Sequence, residues 1–178
     1  RGVVAGWNRN RGMAGEVEQL REPQSGIADR FALGAEQHGR LAEARRNGNA
    51  VYRIDRDNSV HRVLTSEQVQ APNGVMLAPD DRTLYLVESN RAPGGRRRID
   101  AYPVAADGSL GRPRIFHDFG PGRSGDGMAV DTAGRLWVAA GLNALRAGGE
   151  TLATRAGIYV FEPTGKLVTM VPINEDLV

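Results

Sequence analysis

Asn73 and Asp126 are the two side chains of this 178-residue sequence whose types and spacing could do chemistry together. They stand 53 positions apart, each directly before a glycine at the head of an apolar run. The runs are Asn73-Gly-Val-Met-Leu-Ala-Pro-Asp-Asp-Arg-Thr-Leu-Tyr-Leu-Val87 and Asp126-Gly-Met-Ala-Val-Asp-Thr-Ala-Gly-Arg-Leu-Trp-Val138. Both read as strand, polar turn, strand. If equivalent strands line one axis, an amide oxygen and a carboxylate converge there, and such a pair suits a hard divalent cation such as Ca²⁺ or Mg²⁺. Asn-Gly and Asp-Gly are also ordinary turn dipeptides, so spacing alone leaves both readings open.

The elements that must position this pair follow from a second hairpin type that alternates with the first. It runs from Val51 through Val63, from Ile99 through Gly108 and from Gly157 through Val168. One hairpin of each type gives four strands in about 50 residues, the size of a propeller blade. A lone blade cannot bury both faces of its sheet, and a closed ring takes about four to eight blades. The expected fold is therefore all-β, a partial propeller of about two and a half blades, from a fragment or a truncated gene product. A β-sandwich would need no such repeat.

Residues 1–48 read differently from residues 49–178, with a boundary near Asn47-Gly48. The first stretch is rich in Arg, Gly, Glu and Ala, and its one pattern is weakly helical, from Gly34 to Arg46. It is left unassigned; a shifted reading frame or disorder would account for it. The chain begins at Arg1 rather than Met, which leaves room for a missing amino terminus and signal peptide.

Composition removes several classes of function. With no cysteine there is no disulfide framework, thiolate metal site or cysteine nucleophile. The three histidines, His38, His61 and His117, lack ligand spacing, so any metal must be held mainly by oxygen. A net charge of +2, with Lys166 the single lysine, reflects an arginine-biased composition rather than a nucleic-acid surface. No apolar run approaches the ~18–20 residues that span a bilayer. The expectation is a soluble protein, cytoplasmic or periplasmic, with neither nucleic acid nor membrane as partner. His61 and His117 fall at strand edges without triad partners, and the Gly-x-Ser-x-Gly elbow of serine hydrolases is missing.

Pro72-Asn73-Gly74-Val75-Met-Leu-Ala-Pro79-Asp80-Asp81-Arg-Thr-Leu84-Tyr85 and Gly125-Asp126-Gly127-Met128-Ala-Val-Asp131-Thr-Ala-Gly134-Arg-Leu136-Trp137-Val138-Ala139 resemble the gluconolactonase/regucalcin family, also called senescence-marker-protein/gluconolactonase/LRE-like. The resemblance covers about residues 49–178. It implies a six-bladed β-propeller with one divalent metal in its channel, calcium before zinc or magnesium, and hydrolysis of sugar lactones. By the same resemblance Asn73 is a metal ligand, and Asp126 is both metal ligand and proton acceptor/donor. The family also uses a first-blade glutamate and a further asparagine. Glu16, Glu18, Glu22, Asn8 and Asn10 lie in no strand context and are not assigned. The alternatives are a non-catalytic calcium- or ligand-binding propeller, or an inactive fragment.

The remaining residues read as follows. Asp131 is a turn residue and Asp118 structural. The links Glu88–Arg98 and Ala140–Ala156 return to the face that carries Asn73 and Asp126. The longer one, with Asn143, Arg146, Glu150 and Arg155, is a candidate lid. Arg96, Arg97 and Arg98 are either an attractor for an acidic sugar or a solvated cluster. Trp137, Tyr85, Tyr102, Tyr159 and Phe161 are expected to pack between blades.

Overall fold

The computed structural model describes residues 30–33, 49–146 and 148–174, and every regular element among them is a β-strand. The weakly helical stretch 34–46 lies outside the described residues. In chain order the strands are β1 (Arg30–Leu33), β2 (Val51–Ile54), β3 (Val60–Leu64), β4 (Pro72–Leu77), β5 (Thr83–Ser89), β6 (Arg97–Pro103), β7 (Arg114–Asp118), β8 (Gly125–Val130), β9 (Leu136–Ala140), β10 (Gly157–Phe161) and β11 (Leu167–Pro172). They form two four-stranded antiparallel meanders, β4-β5-β6-β7 and β8-β9-β10-β11, and a three-stranded sheet, β1-β2-β3. These are two complete propeller blades and three strands of another.

β1 falls inside the stretch that the sequence leaves unassigned. Its backbone pairs with β2 from Arg30 opposite Ile54 to Leu33 opposite Val51, as β5 pairs with β6 in the next blade. Four residues are too short to show alternation, and their partner is some twenty positions away.

Five hairpins close in one way. The amide of Asn58, Asp81, Gly108, Gly134 or Gly165 bonds the carbonyl three residues before it, at Asp55, Ala78, Ala105, Asp131 or Glu162. Each of those five donors has positive φ, from 58° to 95°. Glycine takes that conformation freely, and Asn and Asp tolerate it better than other residues. That is why Gly, Asn and Asp punctuate the apolar runs at regular intervals.

Stacked blades supply the core. Leu84 and Leu86 of β5 lie with Val51, Leu64, Val69 and Tyr102, between the three-stranded sheet and the first full blade. Tyr85 and Val87 project from the other face of β5 and lie with Phe116, Leu136, Val138, Tyr159 and Phe161, between the two full blades. Phe116 touches Tyr85 and Phe161 edge-on, with centroids 4.9 and 5.8 Å apart. The His117 ring sits between Phe119 and Phe161, and burial holds its pKa below the ordinary histidine value. Trp137 departs from its expected place between blades. It alternates with buried Leu136 and Val138, is 37% exposed on the opposite face of β9, and donates its indole N–H to Asp131.

Candidate functional site

Asn73 and Asp126 come together, and backbone irregularities place them. In the first full blade Pro72 pairs with Glu88 and Val75 with Leu86, so Asn73 and Gly74 share the single partner Val87. In the second, Gly125 pairs with Ala140 and Met128 with Val138, so Asp126 and Gly127 share Ala139. Both inner strands thus carry a bulge at the same step, and a bulge locally twists the strand and re-aims its side chains.

The bulges touch. A Cβ on Gly74 would overlap the carbonyl oxygen of Asp126, so only glycine lets the two strands approach this closely. The Asn73 Nδ2 group donates to the Gly125 carbonyl at 3.4 Å, and Oδ1 accepts no hydrogen bond among the described residues. Asn73 and Asp126 are both half-buried, and the Asp126 carboxylate has no hydrogen-bond or ion-pair partner among the described residues. A Cβ on Gly127 would meet nothing within 4 Å, so open space borders Asp126.

Two unpaired oxygen donors on neighbouring strands beside open space fit part of the shell of a hard cation. No group of three or more His, Cys, Asp or Glu side chains able to hold a metal occurs among the described residues. The pair can supply two ligands and one basic carboxylate.

Sequence reasoning missed the residues beneath this pair. Glu88, fully buried at the end of β5, accepts hydrogen bonds from the Gln70 amide at 2.9 Å and the Ala71 amide at 2.7 Å, at the entrance to β4. Burial pushes its carboxyl above the usual range; those amides, and Arg96 at 3.8 Å, pull the other way. Ser124, at the entrance to β8, donates its hydroxyl to the Glu88 carbonyl at 2.8 Å. The one available signal was a charged residue directly after the apolar run Leu84–Val87, still within the strand.

The three consecutive arginines are neither an open binding patch nor a solvated cluster. Arg96 donates to the Gln68 carbonyl at 2.7 Å, buried Arg97 donates to the carbonyls of Ala92 and Gly149, and Arg98 pairs with Asp100 at 2.9 Å. The link between β9 and β10 is a fastened wall rather than a loose lid. Its Glu150 makes a buried ion pair with Arg123 at 3.0 Å, Gly149 donates to the Arg91 carbonyl, and Thr151 donates to the Pro121 carbonyl. Asn143 donates to the Ile173 carbonyl, and the Arg155 carbonyl accepts from Tyr159.

Asp118 and Asp131 are turn residues, remote in role from the pair. Asp118 caps the Gly120 amide. Asp131 accepts from Trp137, Arg135 and the Ala133 amide, which draw its pKa down to about 2.

The fold has counterparts in known proteins. The model of the SMP-30/gluconolactonase/LRE-like region matches residues 28–177, beginning ahead of β1. A gluconolactonase of Zymomonas mobilis is 28% identical over 132 residues, which cover 72% of this chain and 33% of the relative. The solved structure of a Xanthomonas campestris gluconolactonase superposes with a TM-score of 0.54 at 29% identity, over 72% of this chain and 36% of that one. A luciferin-regenerating enzyme shares the fold, with a TM-score of 0.54 at 23% identity over 72% of this chain and 38% of its own. The chain therefore spans about a third of the length of these relatives. With matched bulged inner strands, stacked four-stranded blades and a family match over most of its length, the chain belongs to the SMP-30/gluconolactonase/LRE-like family.

Proposed function

We propose that this chain carries part of the active site of a metal-dependent sugar-lactone hydrolase, with Asn73 and Asp126 as two of the metal's ligands. The observation that supports it most is the pair of bulges that bring an unpaired amide oxygen and an unpaired carboxylate to one end of adjacent inner strands. A divalent cation held there, calcium before zinc or magnesium, supplies a Lewis acid for the lactone carbonyl. The chain's own chemistry belongs to Asp126. Its carboxylate takes a proton from the attacking water and returns one to the ring oxygen as the ester bond opens, so the protons balance over one turnover. Asn73, whose Nδ2 donates to the Gly125 carbonyl, offers Oδ1 to the cation and takes no part in proton transfer. The link between β9 and β10, fastened through Gly149, Glu150 and Thr151, limits which lactones reach the pair.

Titration calorimetry with Ca²⁺, Zn²⁺ and Mg²⁺, followed by a pH-stat assay on glucono-1,5-lactone, tests this reading. The expected result is binding by the wild-type chain, weakened by Asn73→Ala, and turnover that Asp126→Asn lowers by about 10²–10⁴-fold. Binding without turnover favours a non-catalytic cation-binding propeller. Turnover that survives Asp126→Asn unchanged overturns the role given to the carboxylate.

A further inference from the structure

We propose that Glu88 is the positioning residue of this site: one buried side chain at the end of β5 fastens the entrance of β4 through its carboxylate and the entrance of β8 through its carbonyl, and so sets the spacing between Asn73 and Asp126. The inference rests on reading that pair as the cation site.

The carboxylate Oε1 and Oε2 accept from the amides of Gln70 and Ala71, at 2.9 and 2.7 Å, and Ala71 is two residues from Asn73. The Ser89 amide donates back to the Ala71 carbonyl at 2.9 Å, so the segment before the first bulge is held on both its donor and acceptor sides. On the other side, the Ser124 hydroxyl donates to the Glu88 carbonyl at 2.8 Å, and Ser124 is two residues from Asp126. Glu88 and Ser124 are both fully buried. One residue is therefore hydrogen-bonded to the residue two positions before each member of the pair.

The chemistry of the position argues against a purely space-filling role. A fully buried carboxylate is costly, and Arg96 at 3.8 Å is too distant to compensate it as a direct hydrogen-bonded ion pair would. A leucine there would avoid that cost but would leave two adjacent amide donors unpaired. Glutamine could keep one oxygen where Oε2 accepts from both amides, at 3.1 and 2.7 Å, but its NH₂ group would then replace Oε1 and face the Gln70 amide. The carboxylate thus serves both donors through three bonds without presenting a donor of its own, and serving both fixes the direction in which the chain enters β4.

NMR of the intact chain carrying Glu88→Gln, Glu88→Asp or Ser124→Ala tests the inference, with amide exchange and Ca²⁺ titration read on the same samples. Glu88→Gln is expected to speed exchange at Gln70 and Ala71, move the amide resonances of both Asn73 and Asp126, and weaken Ca²⁺ binding at least tenfold. Protection at Leu86 and Val138 in the core should stay as in the wild type. Glu88→Asp should restore part of the affinity. Ser124→Ala removes only the second tether, and should move Asp126 with a smaller loss of affinity. If Glu88→Gln frees the Gln70 and Ala71 amides yet leaves Asn73, Asp126 and Ca²⁺ affinity unchanged, Glu88 is a local tether and the inference falls. If Glu88→Gln does not fold, an unmoved Asp126 in Ser124→Ala overturns it. If the wild type binds no cation, the reading of the pair fails, while movement of both resonances in Glu88→Gln still supports the positioning role.

Discussion

The two full blades share strand order, bulge position and turn geometry, yet among the described residues the first is buried on both faces and the second on one. β5 alternates Leu84 and Leu86 into one core with Tyr85 and Val87 into another, so its interior residues are all buried. β9 offers Leu136 and Val138 to the first blade while Trp137 faces out, and β11 exposes Leu167, Val168 and Val171. The position that pairs with the first residue of the inner strand is Glu88 in one blade and Ala140 in the other. Near-identical local patterns thus acquire different roles from what lies against them. An apolar run states that a strand has a buried face, and stacking decides how many.

The sharpest way to break that comparison is to truncate one aromatic on each side of β9 and its neighbours. Phe161→Ala removes a ring buried between the two blades, and should cost about 3–5 kcal/mol. Trp137→Ala removes a larger ring from the half-exposed face and should cost about 1 kcal/mol or less. Urea unfolding midpoints of the two variants measure the difference. Equal losses would mean that both faces of β9 are covered in solution.

The bulges give a second, subtler contrast, because the repeat makes Gly74 and Gly127 equivalent while their surroundings differ. A Cβ at Gly74 would overlap the Asp126 carbonyl, so Gly74→Ala must push the inner strands apart at a cost of about 1–3 kcal/mol. Gly127→Ala points into open space and should change stability by about 0.5 kcal/mol or less. Thermal denaturation of both variants checks this. If Gly127→Ala is the more damaging, the open side of the second bulge has been placed wrongly.

The same contrast shows why some of the molecule could be read from its sequence and some could not. Turn residues with positive φ recur at fixed offsets from apolar runs, so hairpins, blades and the equivalence of Asn73 with Asp126 are local information. Glu88 and Ser124 act through partners 17 and 36 positions away, and nothing in the run Thr83–Ser89 names those partners. Arg96–Arg98 is the converse case. Three adjacent cations suggest a surface patch, but strand alternation and neighbouring carbonyls turn each to a different internal partner. β1 was hidden because four residues without a visible partner carry no period.

The smallest effect lies in the turns that open the outward face, where the blades solve one problem differently. In the first blade Asp80 accepts from the Arg82 amide within the turn. In the second the acid stands at Asp131, where Trp137, Arg135 and the turn amides draw its pKa from the ordinary 3.8 down to about 2. A carboxyl whose folded pKa lies below its unfolded value stabilises the fold above that unfolded value, and its contribution fades as pH falls through the folded one. Asp131→Asn should therefore be slightly less stable than the wild type at neutral pH, and the gap should close as the pH falls from 3.8 toward 2. The Asp131 side chain is partly exposed to solvent, so salt should shrink the gap as well. Melting temperatures of both proteins across that acid range decide the matter: a gap that stays constant with pH would assign the loss to the turn's backbone bonds rather than to the charge.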